Sequence, residues 1–175
     1  MESQPVIRRA VTSDNSRIAL LHVRAWQTAY RGHMPDHFLD SLDPISRAGV
    51  WANRLLEPDL LVLVAYAPPY LLGFCSLIPS RDSDAKAATA ELSAIYVDPS
   101  WLRSAIGSLL LENLLPSARA RGFDTLSLWV LRDNAPALAF YQARGFIPDG
   151  TVKAQTISTF QVQELRLHRS LLPES

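Results

Sequence analysis

The stretch AELSAIYVDPSWLRSAIGSLLLE, residues 90–112, decides how this chain folds. Its apolar first part, 91–97, predicts a strand, and an Asp-Pro dipeptide ends it. After a short loop, apolar residues recur at helical spacing over 105–121, and a glycine follows directly. The segment DTLSLWVL, 124–131, predicts the next strand. Strand, helix and returning strand form a right-handed βαβ unit at the centre of the fold.

Hairpins and further helices surround this unit. Pro116 lies within the central helix and predicts a kink or a split there. The other predicted elements are strands at 5–10, 60–66, 70–78 and roughly 160–168, and helices from Asp14 to about Tyr30, within 36–56 and from Asn134 to Gly145. The order β-α-α-β-β-β-α-β-α-β-β predicts an α/β fold, called α+β in some schemes. We expect a central mixed, mostly antiparallel sheet of about six to seven strands with helices on both faces.

The composition is that of one globular domain covering residues 1–175. Apolar residues make up 48% of the chain, and 17 basic residues balance 17 acidic ones. A neutral balance lacks the electrostatic footprint of non-specific nucleic-acid binding, so no nucleic-acid partner is expected. No apolar run reaches the ~20 residues of a membrane span, so no membrane role is expected either.

The cysteine and histidine residues limit the disulfide and metal sites that this chain can form. Cys75 is the single cysteine, which excludes an internal disulfide and a Cys-rich zinc site. His33 and His37 have a spacing of four, but Pro35 between them interrupts the helix face, so no metal site is expected. The N-terminal stretch lacks the apolar centre of a secretory signal. Together these features predict a reducing, cytoplasmic location.

The loop before the central helix is a candidate phosphate cradle. A helix start offers free backbone N–H groups and the positive end of the helix dipole. Gly107 lets a ligand approach the backbone closely, and Arg103 and Ser104 add side-chain donors. The alternative is a plain strand–loop–helix connection without a ligand.

A second stretch, LWVLRDNAPALAFYQARGF at 128–146, joins the first in resembling a known family. The two resemble the acetyl-CoA pyrophosphate motif and the N-x-x-A-x-x-F-Y-x-x-x-G-F motif of the GNAT N-acetyltransferases. The residues that match the second motif are Asn134, Ala137, Phe140, Tyr141, Gly145 and Phe146. The early stretch HVRAWQTAYRGHMP, 22–35, is similar to a subgroup of bacterial family members.

One loop departs from the family pattern Q/R-x-x-G-x-G/A. Leu102 stands at its first polar position and Ala105 at its first glycine. The backbone donors survive the change to alanine if the φ of Ala105 is negative, although its methyl group crowds a phosphate.

The resemblance implies an acyltransferase that moves an acetyl group from acetyl-CoA to a primary amine in a direct ternary complex, without a metal. It assigns the role of general base to Glu91 and that of general acid toward the leaving thiolate to Tyr141. Residues implied in acetyl-CoA binding are Ile95, Tyr96, Val97, Arg103, Ser104, Ala105, Ile106, Gly107, Ser108, Asn134 and Tyr141. Residues implied on the acceptor side are Trp26, Tyr30 and Arg31, the last for a carboxylate.

Each role has a structural alternative. Glu91 is otherwise a strand-edge charge, Tyr141 and Trp26 are otherwise core residues, and Trp129 is expected in the core. The acceptor is a small molecule or a peptide N-terminus.

Two other functions compete with this one: a non-catalytic module of the same fold that binds acyl-CoA or a protein partner, and an acyltransferase for a larger acyl-CoA. The run TFQVQELRLHRSLL, 159–172, is either a sheet edge at a homodimer contact or an internal strand.

Overall fold

The computed structural model describes residues 5–173. Within them the strands are β1 (Val6–Arg9), β2 (Leu61–Ala67), β3 (Tyr70–Pro79), β4 (Thr89–Val97), β5 (Thr125–Leu131), β6 (Ile147–Ile157) and β7 (Phe160–Ser170). The helices are α1 (Asn15–Ala29), α2 (Asp36–Asp40), α3 (Pro44–Arg54), α4 (Ile106–Ala120) and α5 (Ala135–Gln142). The strands form one seven-stranded sheet in the order β1-β2-β3-β4-β5-β7-β6. Only the β4–β5 pair is parallel, which confirms the predicted mixed, mostly antiparallel sheet.

Helices cover both faces of the sheet, and the alternation along β2 shows why. Leu61, Leu63 and Ala65 pack in one apolar cluster with α4, whereas Val62 and Val64 pack in another with α1 and α3. Because successive side chains of a strand point to opposite faces, these two clusters lie on opposite sides of the sheet. A strand buried on both faces reads as a continuous apolar run, as LLVLVAY does here.

The central helix α4 is continuous, contrary to the predicted split at Pro116. Pro116 lies on the exposed side of the helix, and helical backbone continues to Ala120. The opposite side carries Leu110, Leu111 and Leu114, which are completely or almost completely buried. Burial of this apolar stripe offsets the hydrogen bond that proline removes.

The C-terminal run is an internal strand, the second of the two alternatives. β7 lies between β5 and β6, so its backbone is paired on both sides. The edges of the sheet are β1 and β6. Of the helices formed by residues 5–173, none is both long and apolar enough to cross a membrane.

Candidate active site

A cleft opens where β4 and β5 separate. The two strands pair only from Thr89 to Glu91 on β4 and from Thr125 to Ser127 on β5. Beyond these residues they diverge, and a cleft of about 460 Å³ lies between them. The outer half of β4 therefore presents unpaired backbone N–H and C=O groups toward the cleft.

A bulge in β4 marks the point of divergence. Ser76 on β3 pairs with Ala94 and Leu77 pairs with Leu92, which leaves Ser93 as the extra residue. A bulge bends a strand and increases its twist, so it directs the following residues away from β5. The predicted residues Ile95, Tyr96 and Val97 all line the cleft.

The loop before α4 has a backbone conformation that glycine usually provides. The φ angles of Arg103 and Ala105 are +63° and +64°, both in the left-handed region. The condition of a negative φ at Ala105 is therefore not met. The alanine instead adopts the glycine-like conformation at a cost of roughly 1–2 kcal/mol. Left-handed residues that alternate with other conformations turn successive N–H groups toward one point, which creates a concavity suited to an anion.

The first turn of α4 keeps its N–H groups free. The Leu109 N–H donates to the Ala105 carbonyl at 2.9 Å, and the N-cap residue Ala105 has no side-chain acceptor for the first turn. The amides of residues 106–108 precede this bond, so they have no intrahelical acceptor. Predicted cradle residues 103–108 thus lie together at the positive end of a 15-residue helix.

Gly107 allows two elements to meet at this helix start. It lines the cleft, and a Cβ atom at this position would lie 3.3 Å from the ring of Phe140 on α5. Arg144 stacks on the same ring, with its guanidinium carbon 3.7 Å from the Phe140 ring centre. Its guanidinium also donates to the Ser108 hydroxyl. A positive charge therefore lies beside the N-terminus of α4, a feature that sequence reasoning did not include.

Helix α5 lies along the same cleft, which Asn134 and Tyr141 line. The Asn134 side chain accepts a hydrogen bond from the Ala137 N–H at 3.3 Å, which confirms it as the N-cap of α5. The Tyr141 ring also contacts Phe140 and Phe146 edge to face, so the residue both packs in the core and faces the cleft.

The Tyr141 hydroxyl is in the right state to donate a proton. Burial raises the pKa of this phenol well above its ordinary value, and the nearby Tyr30 hydroxyl adds to the effect. The phenol therefore stays protonated throughout the neutral range. None of residues 5–173 holds its hydroxyl in a side-chain hydrogen bond.

A second cavity adjoins this cleft, and aromatic side chains from β4, from α1 and from the residue after α1 line it. The Trp26 indole N–H donates to the Tyr96 hydroxyl at 2.9 Å, and the Tyr96 and Tyr30 hydroxyls lie 3.2 Å apart. Tyr30 and Tyr96 line both cavities, whereas Trp26 lines only the second. Burial raises the pKa of Tyr30 and of Tyr96, so both hydroxyls stay protonated.

Glu91 lies in the second cavity, which has a volume of about 200 Å³. Its side chain is 4% exposed, and Arg81 occupies both of its oxygens, with Nη2 2.5 Å from Oε1 and Nε 3.2 Å from Oε2. A base must accept a proton with an oxygen that is free to do so. The ion pair with Arg81 therefore weakens the case for Glu91 as the base.

Arg31 lies away from both cavities. Its guanidinium is exposed and contacts Asp36 at 3.1 Å and Asp40 at 2.9 Å. Because two carboxylates already neutralise it, its placement gives no support to a role in binding an acceptor carboxylate.

Trp129 and Glu164 line both cavities, and sequence reasoning missed each of them. Trp129 was expected in the core, but it is half-buried and its indole N–H donates to Asp82 at 3.1 Å. Glu164 lies on β7 directly opposite Leu131 of β5. Its position depends on strand register, which no local pattern reveals.

Solved structures share this architecture. An N-acetyltransferase from Staphylococcus aureus Mu50 superposes with a TM-score of 0.78 at 22% identity, covering 97% of this chain and all of that one. The PaiA N-acetyltransferase of Thermoplasma acidophilum, solved in complex with coenzyme A, has a TM-score of 0.74 at 21% identity over 96% of this chain and 99% of that one. At these identities the likeness shows the fold.

Sequence comparison shows the family. The family model for the Acetyltransferase (GNAT) family matches residues 20–146. YuaI, an uncharacterised N-acetyltransferase of Bacillus subtilis (strain 168), is 33% identical over 138 residues, which cover 78% of this chain and 77% of that protein. The [ribosomal protein bS18]-alanine N-acetyltransferase of Salmonella typhimurium (strain LT2) is 39% identical over 75 residues, 43% of this chain and 50% of that protein. With a family model that covers most of its length, the chain belongs to the GNAT family of acetyltransferases.

Proposed function

We propose that this protein transfers the acetyl group of acetyl-CoA directly to a primary amine in a ternary complex. One observation carries the proposal: the cleft between β4 and β5 passes through the sheet. Its lining includes Gly107, Phe140 and Tyr141 from the α4–α5 side, and Tyr30 and Glu164 from the opposite side. A passage of this kind lets two substrates approach each other from opposite faces.

The α4–α5 side has the groups that acetyl-CoA requires. The free N–H groups of residues 103–108, the helix dipole and the Arg144 guanidinium suit the pyrophosphate. The unpaired edge of β4 at Ile95 and Val97 suits the amide groups of the pantetheine arm, which pair as a neighbouring strand does.

The chemistry follows from where charge develops. The amine nitrogen attacks the thioester carbonyl carbon, and the carbonyl oxygen becomes negative. A β4 backbone N–H at Ile95 stabilises this charge, an interaction typically worth ~10²–10³-fold in rate. As the carbon–sulfur bond breaks, the protonated Tyr141 hydroxyl donates its proton to the departing thiolate.

The opposite side binds the acceptor against the rings of Tyr30, Trp26 and Trp129. The cavity of about 200 Å³ there admits the amine-bearing end of a small molecule or of a peptide. A peptide N-terminus gains support from the relatives that acetylate an alanine of ribosomal protein bS18.

Calorimetric titration of acetyl-CoA, with ATP and NAD as controls, tests the cofactor half of the proposal. We expect saturable binding with a micromolar Kd, about −8 kcal/mol. A free-thiol assay with small primary amines and an alanine-initiated peptide then tests the acceptor half.

The titration and the thiol assay together distinguish the rival functions. Tight binding of succinyl-CoA or a longer acyl-CoA in preference to acetyl-CoA would indicate a larger donor. Acetyl-CoA binding without thiol release for any amine would favour a binding module, and no binding at millimolar concentration would contradict the proposal.

A further inference from the structure

Glu164 has an unusual environment for a carboxylate. Its Oε2 atom is buried and forms no hydrogen bond with any of residues 5–173. A buried carboxylate oxygen without a hydrogen bond is costly, because water no longer compensates its charge. The side chain lines both the cleft between β4 and β5 and the cavity behind it. Glu164 therefore has an oxygen available at the place where the two cavities meet.

The ammonium group of Lys153 lies near this oxygen. Lys153 on β6 pairs across the strands with Glu164, and its Nζ atom lies 3.5 Å from Oε2. The same Nζ atom lies 3.9 Å from the centre of the Trp129 ring. The contact with Glu164 is an ion pair without hydrogen-bond geometry. A carboxylate and an aromatic face together form a site for an alkylammonium ion, which a side chain of the protein itself partly fills.

We propose that Glu164 and the ring of Trp129 bind the ammonium group of the acceptor, that Glu164 takes its proton, and that Lys153 fills this site until the acceptor displaces it. The proposal rests on the proposed function and names the chemical class of the acceptor, a primary alkylammonium ion. Lys153 is on the edge strand of the sheet and is 39% exposed, so its flexible side chain has room to leave.

Glu91 differs from Glu164 in the hydrogen bonds that its carboxylate oxygens accept. Both oxygens of Glu91 accept hydrogen bonds from Arg81, a cation that a small amine does not readily replace at two positions. The Oε2 atom of Glu164 has only the ion pair with Lys153, so the acceptor has to replace one cation at one position. Of the two glutamates, Glu164 also lines the cleft that holds Tyr141, whereas Glu91 lines only the second cavity.

Every proton is accounted for when Glu164 acts as the base and Tyr141 as the acid. The acceptor ammonium gives one proton to Glu164, which later releases it to solvent. The neutral amine attacks the thioester carbon, the nitrogen–carbon bond forms, and the carbon–sulfur bond breaks. Tyr141 protonates the coenzyme A thiolate and regains a proton from the nitrogen that becomes the amide. The net products are the acetylamide, coenzyme A as thiol, and one proton.

Titration of n-butylammonium chloride into the coenzyme A complex tests the binding site directly. We expect Glu164→Gln to weaken binding roughly 10-fold to 100-fold, since a hydrogen bond to a charged group is lost. Lys153→Met should strengthen it roughly twofold to fivefold, because it removes a competitor that is held only by a partly exposed ion pair. Glu112→Gln, on the exposed side of α4, is the matched control.

Three outcomes of this titration overturn the proposal. The first is equal n-butylammonium affinity in the wild type and Glu164→Gln. The second is a larger loss of affinity in Glu91→Gln than in Glu164→Gln. The third is no n-butylammonium binding to either the wild type or Lys153→Met at about 100 mM. Acetyl-CoA affinity, measured separately, should be the same in all these variants. If the wild type did not bind acetyl-CoA, the proposed function itself would be contradicted. Failure of the proposed function and failure of the Glu164 site are therefore distinguishable.

Steady-state kinetics with the best acceptor adds the catalytic readout. Glu164→Gln should lower kcat and raise the KM of the acceptor, whereas Lys153→Met should lower that KM without lowering kcat. An unchanged kcat in Glu164→Gln would show that this carboxylate does not take the proton.

Discussion

The two faces of the sheet contribute to the active site in different ways. On the α4–α5 face, the groups that suit the cofactor come from two short runs of sequence, residues 95–108 and 134–144. On the opposite face, Tyr30, Trp129 and Glu164 come from three distant parts of the chain. The first face combines backbone groups and a helix dipole with the side chains of Tyr141 and Arg144, whereas the second uses side chains alone.

This difference bears on how each face tolerates change. Backbone N–H groups persist through substitution as long as the loop keeps its conformation, and the loop keeps it here even with alanine at position 105. A side-chain site changes with a single substitution. Under the proposed function, the α4–α5 face is the cofactor face and the opposite face is the acceptor face. The cofactor face is then suited to one constant ligand, and the acceptor face to a ligand that a single substitution can change.

Tyr141→Phe should show the largest effect and tests the cofactor face. Phenylalanine keeps the packing on Phe140 and Phe146 but removes the proton donor. We expect kcat to fall roughly 10²–10⁴-fold while the Kd of acetyl-CoA changes little. A thiol-release assay measures kcat, and calorimetry measures the Kd of acetyl-CoA. Tyr70→Phe, at an exposed position, is the control, and an undiminished kcat in Tyr141→Phe would favour the non-catalytic module.

His22, beneath the acceptor face, should make the fold sensitive to acid. Its ring stacks on Tyr96 and accepts a hydrogen bond from the Trp51 indole at 3.1 Å, and burial lowers its pKa to about 3. The unfolded chain binds a proton near pH 6.5, which the folded protein does not bind until near pH 3. Stability is therefore unaffected by this group above pH 6.5 and falls by up to about 1.4 kcal/mol per pH unit below it.

Urea unfolding between pH 7 and pH 5 measures this slope. His22→Asn keeps an acceptor for the Trp51 indole at the place of Nδ1 but has no titrating ring, so its stability should fall less steeply. Parallel slopes for the two proteins would show that His22 is not the cause.

Arg166→Met should loosen the acceptor face and spare the cofactor face. The Arg166 guanidinium contacts Asp149 and Asp84 at 2.6 Å each and Asp82 at 3.3 Å, and Asp82 in turn holds the Trp129 indole. Loss of the bonds to Asp82 and Asp149 should cost about 2 kcal/mol of unfolding free energy. The KM of the acceptor should rise, with the Kd of acetyl-CoA unchanged. An equal effect on both substrates would show that the two faces are not independent.

Ala105→Gly should give the smallest effect and in the opposite direction. Glycine adopts a φ of +64° without strain but loses more backbone entropy on folding. The net gain in unfolding free energy should be roughly 0.5–1 kcal/mol. Chemical denaturation measures it, with Ala120→Gly at the end of α4 as a comparison that should be destabilising. A loss of stability in Ala105→Gly would show that the left-handed loop is not strained.

The elements on the α4–α5 side of the cleft could be predicted well because their signals are local. The Asp-Pro end of β4, the free start of α4 and the Asn134 cap of α5 are each decided by a few neighbouring residues. The presence of Tyr141 and Gly107 in the cleft follows from these elements. The conformation of Ala105 could not be predicted, because a side chain at a positive φ depends on what holds the rest of the loop.

The sequence by itself determined the mixed sheet, most of the order of elements and several residues that line the α4–α5 side of the cleft, since helical and strand periodicity and capping act over a few residues. Only the tertiary structure decided which residues line the opposite side of the cleft. The register of β7 between β5 and β6 places Glu164 beside Leu131 and Lys153, and the β3–β4 hairpin places Glu91 against Arg81. Such pairings depend on strand register over long separations in the chain, and a shift of one residue would turn each of these side chains to the other face.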